Sequence, residues 1–271
     1  MNKNFFSKEE EEIHDKVDPK IDKFFFNTPK LWDELNANQD RFKAESKKIL
    51  DIIRKIFPKS DVSLLDVGCG TGAHFNLLID RGVECTGVDL NPNMIQYSKK
   101  KYPEIDFYVQ DMKNLTFQEE FQVITCLNST FLYNITNNDI ISTLESFQKA
   151  LKSEGIIIID VSEPITYLLH CGREDFKEGY TYGISTKGFN AKVQISLNFL
   201  PKKQIYKGTR KFMMEHDDNI LVEEPIKYRI LGVQELKFFL HQSGFTVLNV
   251  ELTKDKRDLI PKRITFVAQS E

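Results

Sequence analysis

Leu64-Leu65-Asp66-Val67-Gly68-Cys69-Gly70-Thr71-Gly72 is the stretch whose reading decides the fold. A short apolar run carrying one acidic residue is followed at once by glycine at every second position. Glycine lets the chain turn tightly and lets a ligand approach the backbone with no Cβ in the way. The stretch therefore reads as a buried strand that passes into a helix through a loop shaped for a nucleotide-type cofactor. Its spacing is GxGxG, whereas dinucleotide enzymes show GxGxxG, with the pyrophosphate on the helix N-terminus. That difference argues against NAD.

Working outward, short apolar runs alternate with helical patterns. The spacing predicts a strand over Ser63 to Val67, a helix over Ala73 to Asp80, a strand over Glu84 to Leu90, and a helix opened by Asn91 and Pro92. Asn at a cap and Pro in the first turn favour a helix start. Strands over Ile105 to Val109 and Gln122 to Leu127, a helix over Asp139 to Leu151 and the all-apolar run Ile156 to Ile159 continue the rhythm. Runs that are apolar on both faces, alternating with helices, indicate a parallel sheet covered on each side. Upstream, Ile21 to Phe57 has helical spacing, with Phe42, Ile49, Leu50, Ile53 and Ile56 on one side. After Pro164, the segments Thr181 to Leu200, Gln204 to Glu215 and Ile220 to Ile230 read as an antiparallel insertion. A helix over Val233 to Gln242, closed by Gly244, then leads to strands over Phe245 to Glu251 and Ile264 to Ala268.

Acidic residues stand where this sheet would present its carboxyl ends. Asp89 ends the second strand about 20 residues past the glycines, the spacing at which a carboxylate accepts from both ribose hydroxyls. Asp111 follows the next strand and can accept from an adenine amino group, with Met112 packed on the ring. Each feature alone could be a turn or a helix cap; three at successive strand ends point to one cofactor site.

Composition narrows the class. The chain has 271 residues, 41% hydrophobic and 28% charged, as in an ordinary globular protein. A net charge of -3, from 37 basic and 40 acidic residues, supplies no field for a polyanion, so nucleic acid is not an expected partner. Cys69, Cys85, Cys126 and Cys171 form no CxxC pair and no metal-ligand spacing, so no metal is expected. Glu9 to Glu12 interrupt the N-terminus before an apolar run long enough for a signal peptide, and no later stretch would span a bilayer. The expected setting is the cytoplasm, with no membrane partner and with self-association into a homodimer left open.

Taken together, LLDVGCGTG, VDLNPNMI, YVQDM and LKSEGIIIID resemble the successive motifs of class I S-adenosylmethionine (SAM)-dependent methyltransferases. The Gly-Thr-Gly-Ala-His loop, the Cys126-Leu127-Asn128-Ser129-Thr130 strand end and the long insertion before Tyr228-Arg229-Ile230 are similar to small-molecule N-methyltransferases, particularly those acting on nucleotide-linked amino sugars. The resemblance implies an α/β, Rossmann-like fold with a mostly parallel seven-stranded sheet, its last strand antiparallel, and an antiparallel β insertion roofing the active site. The organisation expected is N-terminal helices over 1–60 forming part of the substrate lid, a SAM-binding core over 61–162, the insertion over 163–230 and the last helix and core strands over 231–271.

The expected cofactor set is Asp66, Gly68, Cys69, Gly70, Asp89, Leu90, Met94, Asp111, Met112 and Leu127. Asp66 suits the cationic methionyl end of SAM or the network that positions it. Amino-sugar enzymes often place an aromatic residue or a histidine just past the fourth strand, where this chain has Tyr133. They also use a tyrosine from the N-terminal segment, where it offers Phe24, Phe25, Phe26 and Trp32.

Methyl transfer from a sulfonium needs orientation in a dry site more than a strong base. An amine acceptor must be neutral, so the proton acceptors considered are Tyr133 and, through water, Asp160. His74 is the histidine of interest, since it opens the helix after the glycine loop; Tyr133 and His74 are the catalytic candidates, and each has an ordinary packing role as its alternative. Trp32 and Tyr182 are candidates to line an acceptor pocket. Lys187, Lys192, Lys202, Lys203, Lys207, Arg210 and Lys211 of the insertion offer partners for a diphosphate. The function expected is methyl transfer to the amine nitrogen of a small molecule. The alternatives are a small-molecule O-methyltransferase and a SAM-binding regulatory protein without catalysis. A nucleic-acid amino-methyltransferase would carry an Asn/Asp-Pro-Pro-aromatic element at the fourth strand, where this chain has Leu127-Asn128-Ser129-Thr130.

Overall fold

Alternate residues of the central strands belong to two different cores, which is why helices cover both sides of one sheet. The computed structural model describes residues 29–35, 39–58, 61–164, 180–185, 190–214, 220–253 and 263–271. Glu9 to Glu12, Phe24, Phe25, Phe26 and Lys187 lie outside the described residues, as does the side chain of Tyr182. Two helices, α1 (Pro29–Leu35) and α2 (Gln39–Ile56), precede the sheet. The strands β1 (Val62–Val67), β2 (Val83–Asp89), β3 (Asp106–Val109), β4 (Phe121–Cys126) and β5 (Leu151–Ser162) follow, interleaved with α3 (Phe75–Ile79), α4 (Pro92–Lys101) and α5 (Asn137–Ala150). A four-stranded layer of β6 (Tyr180–Ser185), β7 (Asn190–Leu200), β8 (Ile205–Met214) and β9 (Ile220–Arg229) comes next. The chain ends in α6 (Val233–Gln242), β10 (Phe245–Thr253) and β11 (Arg263–Ser270).

Strand order in the main sheet is β10-β11-β5-β4-β1-β2-β3. β1 to β5 pair in parallel, and β11 is antiparallel to both β5 and β10. On one face, Leu65, Val67, Ile124, Ile157 and Ile159 pack with Leu144 and Phe147 of α5 and Leu236 and Leu240 of α6. On the other, Val62, Leu64, Val123, Ile156 and Ile158 pack with Ile49, Leu50 and Ile53 of α2 and Phe75 and Leu78 of α3. Each such side chain, once buried, contributes about 1.5–3 kcal/mol, so both faces carry the fold. Strand order reverses between β1 and β4, and a ligand crevice opens at the carboxyl ends of strands at such a switch point.

Boundaries moved where turns and pairing overrode periodicity. The helix expected from Ala73 begins at Phe75, because the Phe75 amide still closes a turn on the Gly72 carbonyl at 3.1 Å. Thr181 to Leu200 divides into two strands, β6 and β7, which pair antiparallel from Tyr180↔Ile195 to Ser185↔Asn190. β5 starts at Leu151 rather than Ile156, as Leu151 already pairs with Phe121. The start of α4 is as expected: Asn91 caps it, accepting from the Asn93 and Met94 amides, with Pro92 in the first turn. No helix among the described residues is long and apolar enough to cross a membrane.

Candidate active site

A cavity of about 710 Å³ opens between the carboxyl ends of the parallel strands and the antiparallel layer. All twelve residues proposed from the sequence for catalysis or cofactor binding, from Asp66 and the glycine loop to Leu127 and Tyr133, line it. Local backbone chemistry explains the convergence. Gly68 and Gly70 have φ of +74° and +53°, left-handed values that disfavour a Cβ. At Gly68 the reason is packing, since a Cβ would stand 2.3 Å from Thr130 Cγ2. At Gly70 a Cβ would enter the cavity, with Trp32 Nε1 the nearest atom at 3.9 Å.

Asp89 anchors the loop as well as lining the cavity. Its Oδ2 accepts from the Gly70 amide at 2.9 Å and its Oδ1 from the Asn91 amide at 2.8 Å, so the carboxylate fixes the glycine loop to the start of α4. Each carboxylate oxygen has a second lone pair for a further donor. Burial pushes the Asp89 carboxyl up, and the backbone N–H groups of Asn91 and Gly70 draw it back. Asp66 is buried and accepts from Thr125 Oγ1 at 2.7 Å, tying β1 to β4; burial raises its pKa, opposed by the charge of His74 and the Thr125 hydrogen bond. Leu90, by contrast, is 63% exposed, an apolar surface inside the cavity that suits a ring. The Cys69 thiol packs into the core, 2.9 Å from where a Cβ on Gly87 would stand. Asp111 caps the short 3-10 turn Met112–Asn114 with Oδ1, leaving Oδ2 toward Lys113 Nζ at 3.7 Å.

His74 is buried, and its Nε2 lies 2.9 Å from Glu45 Oε2, with Phe42 edge-on to its ring. Glu45 Oε1 accepts from Arg41 Nε at 2.8 Å, and Arg41 Nη2 donates to Asn128 Oδ1. A polar chain from α2 thus joins the glycine loop to the end of β4. There Asn128 and Ser129 are both left-handed, at φ of +53° and +67°. Consecutive non-glycine residues in that region store strain, which gathers at functional sites. Arg41 and Glu45 were not singled out from the sequence; the Asn128-Ser129 strand end was, but not its left-handed turn, for which asparagine's tolerance of positive φ was the available signal.

Burial pushes the Glu45 carboxyl up, but hydrogen bonds and charge from His74 and Arg41 more than reverse this, lowering it from 4.5 to about 2. A carboxyl held below its unfolded value adds stability above that value and loses it as pH falls through the folded one. Glu45→Gln should therefore destabilise the protein on the order of 1–3 kcal/mol near neutrality. The gap should close as pH falls from 4.5 toward about 2. Denaturant titrations of both proteins across that range check this; a pH-independent gap would refute it.

On the opposite wall, Tyr133 is 53% exposed and its hydroxyl lies 3.4 Å from that of Tyr228, which accepts from Arg210 Nη2 at 3.0 Å. Two expectations need correction here. Asp160 is not placed to take a proton: Arg263 Nε grips its two oxygens at 2.9 and 2.8 Å, and Arg263, not Asp160, lines the cavity. Of the described basic residues in the insertion group, Arg210 alone lines the cavity, because strand alternation sends Lys207 and Lys211 to the other face, where Lys211 meets Glu223 at 3.5 Å. Trp32 lines the same cavity, beside the glycine loop.

The family model for a methyltransferase domain matches residues 64–155, the span from β1 into β5 that carries the glycine loop, Asp89 and Asp111. That span carries a methyltransferase domain, and the protein is a SAM-dependent methyltransferase with SAM as its cofactor. More particularly, it is similar to dTDP-4-amino-2,3,4,6-tetradeoxy-D-glucose N,N-dimethyltransferase of Saccharopolyspora spinosa, 28% identical over 131 residues, 48% of this chain and 52% of that protein. Among solved structures it resembles a SAM-dependent methyltransferase from Clostridium acetobutylicum ATCC 824, with TM-score 0.70 and 17% identity over 89% of this chain and 96% of that one. It also resembles the sugar N-methyltransferase KedS8 from Streptoalloteichus sp ATCC 53650, with TM-score 0.70 and 19% identity over 89% of this chain and 92% of that one. At these identities the structural likeness is one of fold.

Proposed function

We propose that this enzyme methylates the amine nitrogen of a compact small molecule in the cytoplasm, with a nucleotide-linked amino sugar the first acceptor to test. The observation that carries the reading is the Tyr133–Tyr228–Arg210 array facing the cofactor loop across the cavity. A tyrosine oxygen accepts an amine N–H, and a guanidinium matches the phosphate oxygens of a nucleotide tail. Similarity to an amino-sugar dimethyltransferase supports the same direction.

SAM fits the residues present: a glycine backbone with open space at Gly70, the Asp89 carboxylate at the strand end and the exposed Leu90 surface. When bound, SAM supplies a methyl group on a sulfonium. Asp89 would hold the ribose, Asp111 and Met112 the adenine, and Gly68, Gly70 and Leu127 the backbone contacts. Tyr133 would orient the neutral amine by accepting its N–H, the proton of the methylated ammonium leaving to solvent, while Ile195, Leu197 and Ile226 of the roof exclude water from the reacting atoms.

Tyr133→Phe should lower turnover about tenfold, the worth of one lost hydrogen bond at the reacting group, and leave SAM affinity within about twofold. Turnover at saturating acceptor equal to the parent's would return Tyr133 to packing. Mass spectrometry after incubation with SAM and a panel of amino-sugar nucleotides, simple amines and phenols tests the acceptor class. A methylated phenol or alcohol with no methylated amine would move the assignment to oxygen.

A further inference from the structure

Asp33 of α1 is held by two other elements at once. Its Oδ1 accepts from Thr71 Oγ1 at 2.7 Å and Lys101 Nζ at 3.0 Å; its Oδ2 accepts from Lys101 Nζ at 2.8 Å and Tyr97 OH at 3.2 Å. Thr71 belongs to the glycine loop, and Tyr97 and Lys101 to α4, the helix that Asn91 opens two residues past Asp89. α1 has only seven residues, too few to persist as a helix without tertiary anchors. The residue beside Asp33, Trp32, lines the cavity at Gly70. One carboxylate therefore straps a short helix across the loop on which the cofactor rests.

We propose that Asp33 is the latch of a cofactor gate: α1 swings off the glycine loop, breaking these bonds, each time SAM enters or S-adenosylhomocysteine leaves. The inference rests on the placement of SAM in this cavity and needs no assumption about the methyl acceptor. Its energetics suit a reversible gate. The Lys101–Asp33 pair is part-exposed, with side chains 29% and 22% accessible, and such pairs open at modest cost. Closing a segment over bound ligand commonly sets the rate of product release.

Trp32 is the chain's single tryptophan, so its fluorescence reports on the gate directly. Stopped-flow displacement of S-adenosylhomocysteine by excess SAM should show a Trp32 signal in the parent. Asp33→Asn should release S-adenosylhomocysteine at least about tenfold faster, with association changed less. Lys101→Met should release it roughly threefold faster, and it carries the test should Asp33→Asn fail to fold. In both variants acrylamide should quench Trp32 of the ligand-bound protein almost as readily as in the free protein, with the thermal midpoint within about 4 °C of the parent's. Unchanged release rates overturn the latch. So does faster release with Trp32 as shielded as in the parent, which would make Asp33 a structural residue only. A parent without any Trp32 response to S-adenosylhomocysteine overturns both the latch and the placement of the cofactor beside Gly70.

Discussion

Gly70→Val is expected to abolish SAM binding, by more than roughly 100-fold, in a protein that still folds. Two effects combine. A β-branched residue at φ of +53° is strained by about 1–3 kcal/mol. The larger effect comes from direction: the new Cβ would meet no protein atom closer than 3.9 Å and projects into the cavity where the ligand belongs. Gly68 makes the contrast, because a Cβ there collides with Thr130 inside the protein and should cost stability first. Calorimetric titration with SAM and a denaturant curve on Gly70→Val separate the two; a folded variant with parental affinity would refute the loop assignment.

Asp89→Ala should weaken SAM binding by about 3 kcal/mol, roughly 100-fold, the upper range for hydrogen bonds to a charged group. The carboxylate has two duties, accepting from the Gly70 and Asn91 amides and, as we propose, from the ribose. Its removal loosens the loop and strips the ligand of acceptors together. Asp89→Asn keeps one carbonyl oxygen and should fall between parent and Asp89→Ala. Calorimetry on the three proteins decides the matter, and unchanged affinity in Asp89→Ala would sink the ribose role.

The chemistry asked of this site is modest. A sulfonium is already activated, so the protein has to align donor and acceptor and keep water out. That explains why the walls are mostly apolar and why the polar groups come as held sets, Arg41 with Glu45 and His74 on one side, Arg210 with Tyr228 and Tyr133 on the other. His74 belongs to the first set as a partner of Glu45, which gives it a positioning duty beside the glycine loop.

Parallel order and the place of the site were legible in the sequence, because both are local. A short apolar run such as Ile156 to Ile159 between turn signals fits a buried strand, and glycine at every second position after Val67 fits a tight turn. The capping pair Asn91 and Pro92 announced its helix for the same reason. What tertiary structure alone decided is which distant residues meet there. Nothing local in Arg41 or Glu45 shows that α2 will reach Asn128 and His74, and nothing in Asp33 shows that it will strap the glycine loop. Asp160 looked like a proton acceptor until Arg263, 103 positions away, closed on it. Side-chain partners far apart in the chain depend on packing angles and strand register, and those are settled only when the whole sheet and its two layers of helices come together.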